Sequence, residues 1–98
     1  MDAPDIILGK TLQTLRESKG VTRLTLAGII NETEQQIAKF EKGGMVPLTT
    51  LEAMAEALGE ALPKRIIRRI SFLRKLGQEK GVIQPELVQI YETLFQEE

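Results

Sequence analysis

The stretch that decides the fold is residues 22–43, TRLTLAGIINETEQQIAKFEKG, in which two short segments flank a turn. Thr33 is a favourable N-cap, and Gln36 three residues later completes a capping-box pattern, so a helix is predicted to begin at Glu34. Asn31 is one of the few non-glycine residues that tolerate the left-handed backbone at a helix end. The stretch therefore predicts two short helices joined by a tight turn.

Apolar spacing predicts which face of each short helix is buried. In the first helix, which Thr22 is placed to cap, Leu26 and Ala27 lie on one face, and in the second helix Ile37 and Phe40 are three residues apart. These positions predict that both helices pack on a common core. The remaining side chains of the second helix should face solvent, where they are free to contact another molecule: Glu34, Gln35, Ala38, Lys39 and Lys42.

Composition predicts one small domain without cofactor chemistry. The 98 residues are 42% hydrophobic and contain neither cysteine nor histidine. Disulfides and thiolate chemistry are therefore excluded, and we expect no metal and no cofactor. The chain also lacks a phosphate-cradling glycine loop, which argues against an enzyme. Its start, MDAPDIILGK, lacks the features of a signal peptide, and no apolar run approaches ~20 residues, so a cytoplasmic protein without membrane contact is expected.

The charge distribution does not by itself indicate nucleic-acid binding. The formal net charge is −1, and residues 1–62 contain nine acidic and six basic residues. A DNA-binding interpretation must therefore depend on a few well-placed bases rather than on a basic domain.

Further helices are predicted on both sides of residues 22–43. Pro4 suits the first turn of a helix that runs through Ser18, in which leucines recur at helical spacing. Gly43 and Gly44 end the third helix, and a capping box at Thr49 predicts a fourth helix that ends near Gly59. No strand-like alternation is present, so the fold class is predicted to be all-α.

The ordered set of these residues resembles the Xre, or Cro/CI-type, helix-turn-helix family of bacterial and phage regulators. The resemblance spans about Leu8 to Leu62 and implies a five-helix, lambda-repressor-like domain in residues 1–62. Residues 63–98 lie beyond the family pattern, and their own sequence predicts a helical extension. In the family the third helix enters the DNA major groove, usually within a dimer. The residues that carry the resemblance are Leu8-Gly9, Leu15-Arg16, Gly20, Thr22, Leu26-Ala27, Asn31, Thr33, Ile37, Glu41, Gly43, Pro47, Leu51 and Leu58-Gly59.

The resemblance also implies which residues contact DNA. A glutamine amide suits base reading, because it donates and accepts at once and so matches the N6 and N7 edge of adenine. The positions that would face base edges are Thr33, Glu34, Gln35, Gln36 and Lys39. Those that would contact phosphates, with the glycines allowing close approach of main-chain N–H groups, are Thr22, Arg23, Lys42, Gly43 and Gly44.

Three acidic residues need separate interpretation. By resemblance, Arg16 and Glu41 form a largely buried structural ion pair between the first and third helices. Glu32 and Glu34 depart from the family, in which the first position is usually apolar and the second more often neutral or basic. Both carboxylates would lie near phosphates. Either Glu34 accepts a hydrogen bond from cytosine N4 or repels unwanted sites, or both carboxylates are simply solvated, or the surface no longer binds DNA.

Residues 63–98 predict two more helices. Pro63 opens one with an isoleucine-rich face, ended by Gly77, and with the one dense basic run on its other side: Lys64, Arg65, Arg68, Arg69 and Lys75. This run could hold phosphates, lie on an acidic membrane surface or be merely solvated, but we favour neutralisation by the acidic C-terminal end, with Glu92, Glu97 and Glu98 approaching Arg68, Arg69 and Lys75.

The last predicted helix, opened by Pro85, has an apolar arc that is broad for packing on one neighbour. We predict that this arc pairs with a second copy and forms a two-fold dimer. The alternative is that the hairpin only covers its own domain. The residues of the predicted interface are Leu87, Val88, Ile90, Tyr91, Leu94 and Phe95.

Together these features predict a sequence-specific regulator that binds double-stranded DNA, a homodimeric repressor on a near-palindromic operator. One alternative is the antitoxin of a toxin–antitoxin pair, whose C-terminal segment would bind a toxin. Another is a protein-interaction module that kept the fold and lost DNA binding, which would show no salt-dependent DNA affinity.

Overall fold

The computed structural model describes residues 3–96, and within that range the chain forms six α-helices and no strand. This confirms the predicted all-α class. In chain order the helices are α1 (Pro4–Ser18), α2 (Arg23–Ile30), α3 (Glu34–Glu41), α4 (Leu48–Ala57), α5 (Lys64–Lys80) and α6 (Pro85–Thr93).

Local side-chain and backbone chemistry defines the turn between α2 and α3. The Thr22 hydroxyl accepts a hydrogen bond from the Thr25 amide at 3.1 Å, and the Thr33 hydroxyl accepts one from the Gln36 amide at 3.1 Å. Between the helices, Asn31 adopts a left-handed conformation with φ 59°. The predicted caps and turn are therefore present, and they fix the direction in which α3 leaves α2.

The left-handed turn residue gives a first testable prediction. Asn31→Ala should lower the free energy of unfolding by about 1 kcal/mol, because a Cβ without a local hydrogen-bonding group disfavours this backbone conformation. Asn31→Gly is the matched control, since glycine adopts positive φ without that cost. Urea denaturation of the two variants measures the difference, and equal stability of Ala and Gly at this position would contradict the interpretation.

A single core joins all six helices. Leu8 and Leu12 of α1 are fully buried beside Ile37 of α3, and the same cluster includes Ile70 of α5 and Tyr91 of α6. Helix α6 packs along α1, and its Tyr91 carbonyl accepts a hydrogen bond from the Thr11 hydroxyl at 2.9 Å. The C-terminal hairpin therefore covers the domain that carries α2 and α3.

This packing corrects the predicted dimer surface. Leu87, Val88 and Tyr91 are buried in the chain's own core, and the other three residues of the predicted arc, Ile90, Leu94 and Phe95, are half-buried against it. The expectation of a broad exposed apolar arc on α6 is therefore wrong. The physical reason is that α1 and α5 flank α6, so that the arc has two neighbours within the same chain.

Two helix boundaries also differ from the prediction. Helix α4 begins at Leu48 rather than after a Thr49 cap, because the Pro47 carbonyl already accepts from the Leu51 amide at 2.9 Å. Helix α5 runs past Gly77 and ends at Lys80, and its C-cap is Gly81, which has φ 66° and donates its amide to the Gly77 carbonyl at 2.8 Å. Gly77 lies close to the following loop instead, since a Cβ there would lie 3.3 Å from the Val82 carbonyl oxygen, which would have to move by a few tenths of an ångström.

One cation on the basic side of α5 pairs with the acidic C-terminal end, as predicted, but its partner is Glu86 and not one of the three glutamates named in the prediction. Arg69 pairs with Glu86 at the start of α6, its Nε donating to Oε2 at 2.6 Å, and its guanidinium lies over the Phe72 ring. Glu92, by contrast, is exposed, and the predicted partners Glu97 and Glu98 lie outside the described residues. Arg68 and Lys75 are exposed to solvent.

Candidate nucleic-acid interface

The outward side of α3 carries the predicted base-reading residues. Thr33, Glu34, Gln35 and Lys39 are exposed, and Gln36 is half-buried. On the opposite side of the same helix, Ile37 and Phe40 are buried in the core, as their spacing predicts. The structure therefore leaves all five predicted side chains at least partly accessible, four of them at the N-cap and first turn of α3 and Lys39 in its last turn. The side of the helix that carries Ile37 and Phe40 is fixed in the protein.

Helix α3 lies directly against the backbone of α1. A Cβ placed on Gly9 would lie 2.5 Å from the carbonyl oxygen of Phe40 and 2.7 Å from that of Glu41. Only a residue without a side chain permits this approach of the two helices. Sequence reasoning included Gly9 in the resemblance but assigned it no role, because the contact joins residues more than thirty positions apart.

The carboxylate of Glu41 holds two cations at the C-terminal end of α3. Arg16 Nε donates to Glu41 Oε2 at 2.7 Å, and Arg16 Nη2 donates to Oε1 at 3.1 Å, which gives the bidentate geometry expected of an arginine and a carboxylate. Arg23 Nε donates to Glu41 Oε1 at 2.8 Å. Because the Glu41 side chain has no exposed surface, this network ties α1, α2 and α3 together inside the protein.

The two arginines decide the protonation of this buried carboxyl. Burial by itself would raise the pKa of Glu41, but the hydrogen bonds from Arg16 and Arg23 outweigh burial and hold the pKa below its ordinary value. The same contact raises the pKa of Arg16. The network is therefore fully charged at neutral pH.

Arg23, which is predicted to contact phosphate, also has a partner within the protein. Its side chain is 35% exposed, and its Nε is occupied by Glu41. The resemblance indicated that Arg23 has a role but not that Glu41 is its partner, because nothing in the local sequence of α2 shows that the Arg23 side chain reaches the end of α3. Arg23 therefore stabilises the support of α3, whatever else it contacts.

The glycines after α3 also differ from the prediction. The amide of Gly43 donates to the Phe40 carbonyl at 3.1 Å, and that of Gly44 donates to the Lys39 carbonyl at 2.9 Å. These N–H groups therefore close the end of α3 and are not directed outward for phosphates. Gly43 is required for another reason, since it has φ 112° and a Cβ there would lie 2.8 Å from Ile6 Cγ1. Lys42, the C-cap residue, is exposed.

The remaining predicted residues are solvent-facing. Glu32 and Glu34 are both exposed, and Glu34 occupies the first turn of α3, where the helix dipole favours a carboxylate. Thr22 is exposed, with its hydroxyl engaged in capping α2. Residues 3–96 contain no group of three side chains suited to hold a metal ion, and none of their helices is both long and apolar enough to cross a membrane.

Two short capped helices joined by a left-handed residue, with the second exposed on one side, define a helix-turn-helix domain. A family model described as helix-turn-helix matches residues 12–64, which is more than half of the chain. The chain belongs to the Xre-type helix-turn-helix family of transcriptional regulators.

Two similar proteins come from Rickettsia. An uncharacterized HTH-type transcriptional regulator of Rickettsia conorii is 40% identical over 55 residues, which are 55% of this chain and 44% of that protein. One of Rickettsia prowazekii is 38% identical over 55 residues, 55% of this chain and 42% of that protein. The matched stretch thus spans less than half the length of these curated relatives. No solved structure gives a significant match.

Proposed function

We propose that the chain binds double-stranded DNA sequence-specifically and represses transcription as a homodimer on a near-palindromic operator, in the cytoplasm where that DNA lies. The observation that carries the proposal is the exposed side of α3, with Gln35 and Lys39 facing solvent while Glu41 and Gly9 fix the helix from behind. A helix held this firmly and exposed on one side fits the major groove. Repression by occlusion of a promoter needs no catalytic group.

In this proposal the side chains of α3 divide into two kinds. Gln35, Gln36 and their neighbours read base edges, and the exposed Lys42 holds the backbone. Residues 1–62 would contact the DNA, and residues 63–98 would stabilise them through the packing of α6 on α1. If a second copy uses α6, the accessible part of the predicted arc is the half-buried set Ile90, Leu94 and Phe95.

The antitoxin alternative gains no support from the described residues. It would be favoured by an unpaired C-terminal segment available to a toxin, whereas α6 packs on α1 of its own chain. The interaction-module alternative is tested by DNA binding itself, since a surface that has lost DNA binding gives no affinity that depends on salt.

A selection of bound sequences from a pool of random DNA duplexes tests the proposal. Gln35→Ala and Gln36→Ala should each relax base preference at particular positions, by about 1–3 kcal/mol of discrimination. Gln89→Ala, an exposed glutamine of α6, is the matched control and should leave the preferred site unchanged. If the 98-residue chain selects no sequence, or if Gln35→Ala and Gln36→Ala both behave like Gln89→Ala, the proposed reading surface is wrong.

Lys42→Ala should act differently in the same assay. Losing one phosphate contact should weaken binding to all DNA sequences nearly equally. It should also lower the magnitude of the slope of log affinity against log salt concentration by about 0.9. Lys42 is the cleaner probe of the backbone contact, because Arg23→Ala would also disturb the Glu41 network. A change of base preference in Lys42→Ala would contradict the division into reading and holding residues.

A further inference from the structure

A cavity of about 290 Å³ lies away from the exposed side of α3, where the start of α1, the loop after α3 and the hairpin of α5 and α6 meet. The size is at the lower end of the range of small-molecule sites in proteins. Nothing in DNA recognition by α3 uses it.

The walls of this cavity are largely apolar. Leu73 and Leu87 form its buried side, whereas Met45, Val82 and Ile83 line it while remaining 58%, 59% and 45% exposed. Large apolar side chains that line a concavity and still contact water gain free energy when an apolar group covers them. The cavity therefore suits the apolar part of a small ligand.

One polar side chain of the cavity has an unfilled hydrogen-bonding position. Arg74 Nε donates to the Tyr91 hydroxyl at 2.9 Å, but Arg74 Nη2 is buried and has no hydrogen-bond partner. Within residues 3–96 it is the only buried side-chain nitrogen or oxygen without one. Because a buried donor without an acceptor is costly, an acceptor supplied by a ligand would be favoured here.

The chain fixes the shape of the cavity through the loop between α5 and α6. Gly77 lets the Val82 carbonyl approach α5, and Gly81, at φ 66°, turns the chain back over the helix. Gln84 Nε2 then donates to the Val82 carbonyl at 3.0 Å. These contacts form without any ligand, so the wall of the cavity that this loop provides is preformed.

We propose that this cavity binds a small amphipathic carboxylate, with the carboxylate accepting from the Arg74 guanidinium and the apolar tail lying against Leu73, Leu87 and Val82. Arginine suits this role, since its planar guanidinium meets carboxylate oxygens with charge-assisted hydrogen bonds. Because Nη2 is covered in the free protein, the proposal requires the Arg74 side chain to turn towards the cavity on binding. Asp5, which also lines the cavity, opposes an anion and so weakens the site.

The test titrates the full chain with octanoate, 1-octanol and octylamine, three probes that share one tail and differ in the head group. Amide resonances of Gly77, Gly81 and Val82 report on the cavity in NMR spectra. We expect saturable shifts with octanoate and markedly weaker binding of the other two. No saturable binding of octanoate, or equal binding of all three probes, would overturn the proposal. The result is independent of DNA binding, because only free protein is measured.

Charge variants locate the carboxylate. Arg74→Gln should weaken octanoate binding about tenfold or more, the loss expected of a charge-assisted hydrogen bond. Arg68→Gln, an exposed arginine of the same helix, is the matched control and should bind as the parent does. Asp5→Asn should tighten binding. An affinity for octanoate in Arg74→Gln equal to that of the parent would refute the assignment. If Arg74→Gln does not fold, Asp5→Asn provides the test, and an affinity for octanoate that does not rise in that variant would refute the assignment.

Discussion

Replacing Glu41 by glutamine is expected to lower the free energy of unfolding by about 3–5 kcal/mol, the usual cost of breaking a buried ion pair from one side. The substitution keeps the shape of the side chain and removes its charge. It leaves the buried Arg16 guanidinium without its counter-ion, and it replaces one of the two oxygens that accept from Arg16 and Arg23 by an NH2 group that cannot accept. Urea denaturation followed by circular dichroism measures the loss.

A control and a double variant separate charge from packing. Glu86→Gln removes a carboxylate of similar bidentate geometry from the Arg69 pair, which is exposed, and should change stability little. Combining Glu41→Leu with Arg16→Met should cost less than Glu41→Gln alone, because neither partner is then left charged and buried. Equal stability of Glu41→Gln and Glu86→Gln would show that the network does not hold α3.

The same carboxylate determines the acid sensitivity of the fold. Since the pKa of Glu41 is lower in the folded chain than its ordinary value, the unfolded chain binds the proton more tightly. The contribution to stability is therefore complete above the ordinary glutamate pKa of about 4.3 and is lost as the pH falls through the lower folded value. Between about pH 5 and pH 3 the parent should lose stability more steeply than Glu41→Gln.

Gly9→Ala is expected to destabilise the protein by about 1–3 kcal/mol or more, although alanine is the better helix former. The added Cβ would lie 2.5 Å from the Phe40 carbonyl oxygen, so α1 and α3 must separate. The displacement of α3 should also weaken DNA binding in the selection assay. Thermal unfolding and an affinity titration with the selected duplex measure the two effects.

Gly28→Ala provides the matched control for this substitution. Gly28 lies in α2, its φ is not positive, and a Cβ at this position would have no neighbouring atom within 4 Å. Alanine should therefore stabilise the chain by about 0.5–1 kcal/mol, because it is the better helix former. The two glycine-to-alanine changes are thus predicted to have opposite signs. A gain of stability in both variants would mean that α1 and α3 are not in backbone contact.

The sequence predicted best what short-range chemistry determines. The cap at Thr33 and the left-handed residue Asn31 depend on neighbours within a few positions, and both are present in the structure. The leucine stripe of α1 is buried as its helical spacing requires. Such features need no knowledge of how distant segments meet.

What the sequence missed depends on distant contacts. The partner of Arg23 lies at the end of another helix, and the reason for a glycine at position 9 is the nearby carbonyl of Phe40. Amphipathic spacing indicated that one face of α6 is buried but could not tell whether α1 or a second copy covers it. Arg74 was left out of the predicted basic run, and only the structure reveals its unfilled nitrogen.

The residues that fix α3 in the protein and most of the residues proposed to read bases lie at opposite ends of the helix, which bears on how its specificity could be engineered. The buried carboxylate that mounts the helix belongs to its last residue, Glu41, whereas Thr33 to Gln36 lie at its first turn, outside the core except for the partly covered Gln36. If these residues read bases as proposed, they can therefore be replaced without weakening the contacts that hold α3 in the protein. Grafting foreign residues onto positions 34 and 35 alone should retarget the regulator while its melting temperature stays nearly constant.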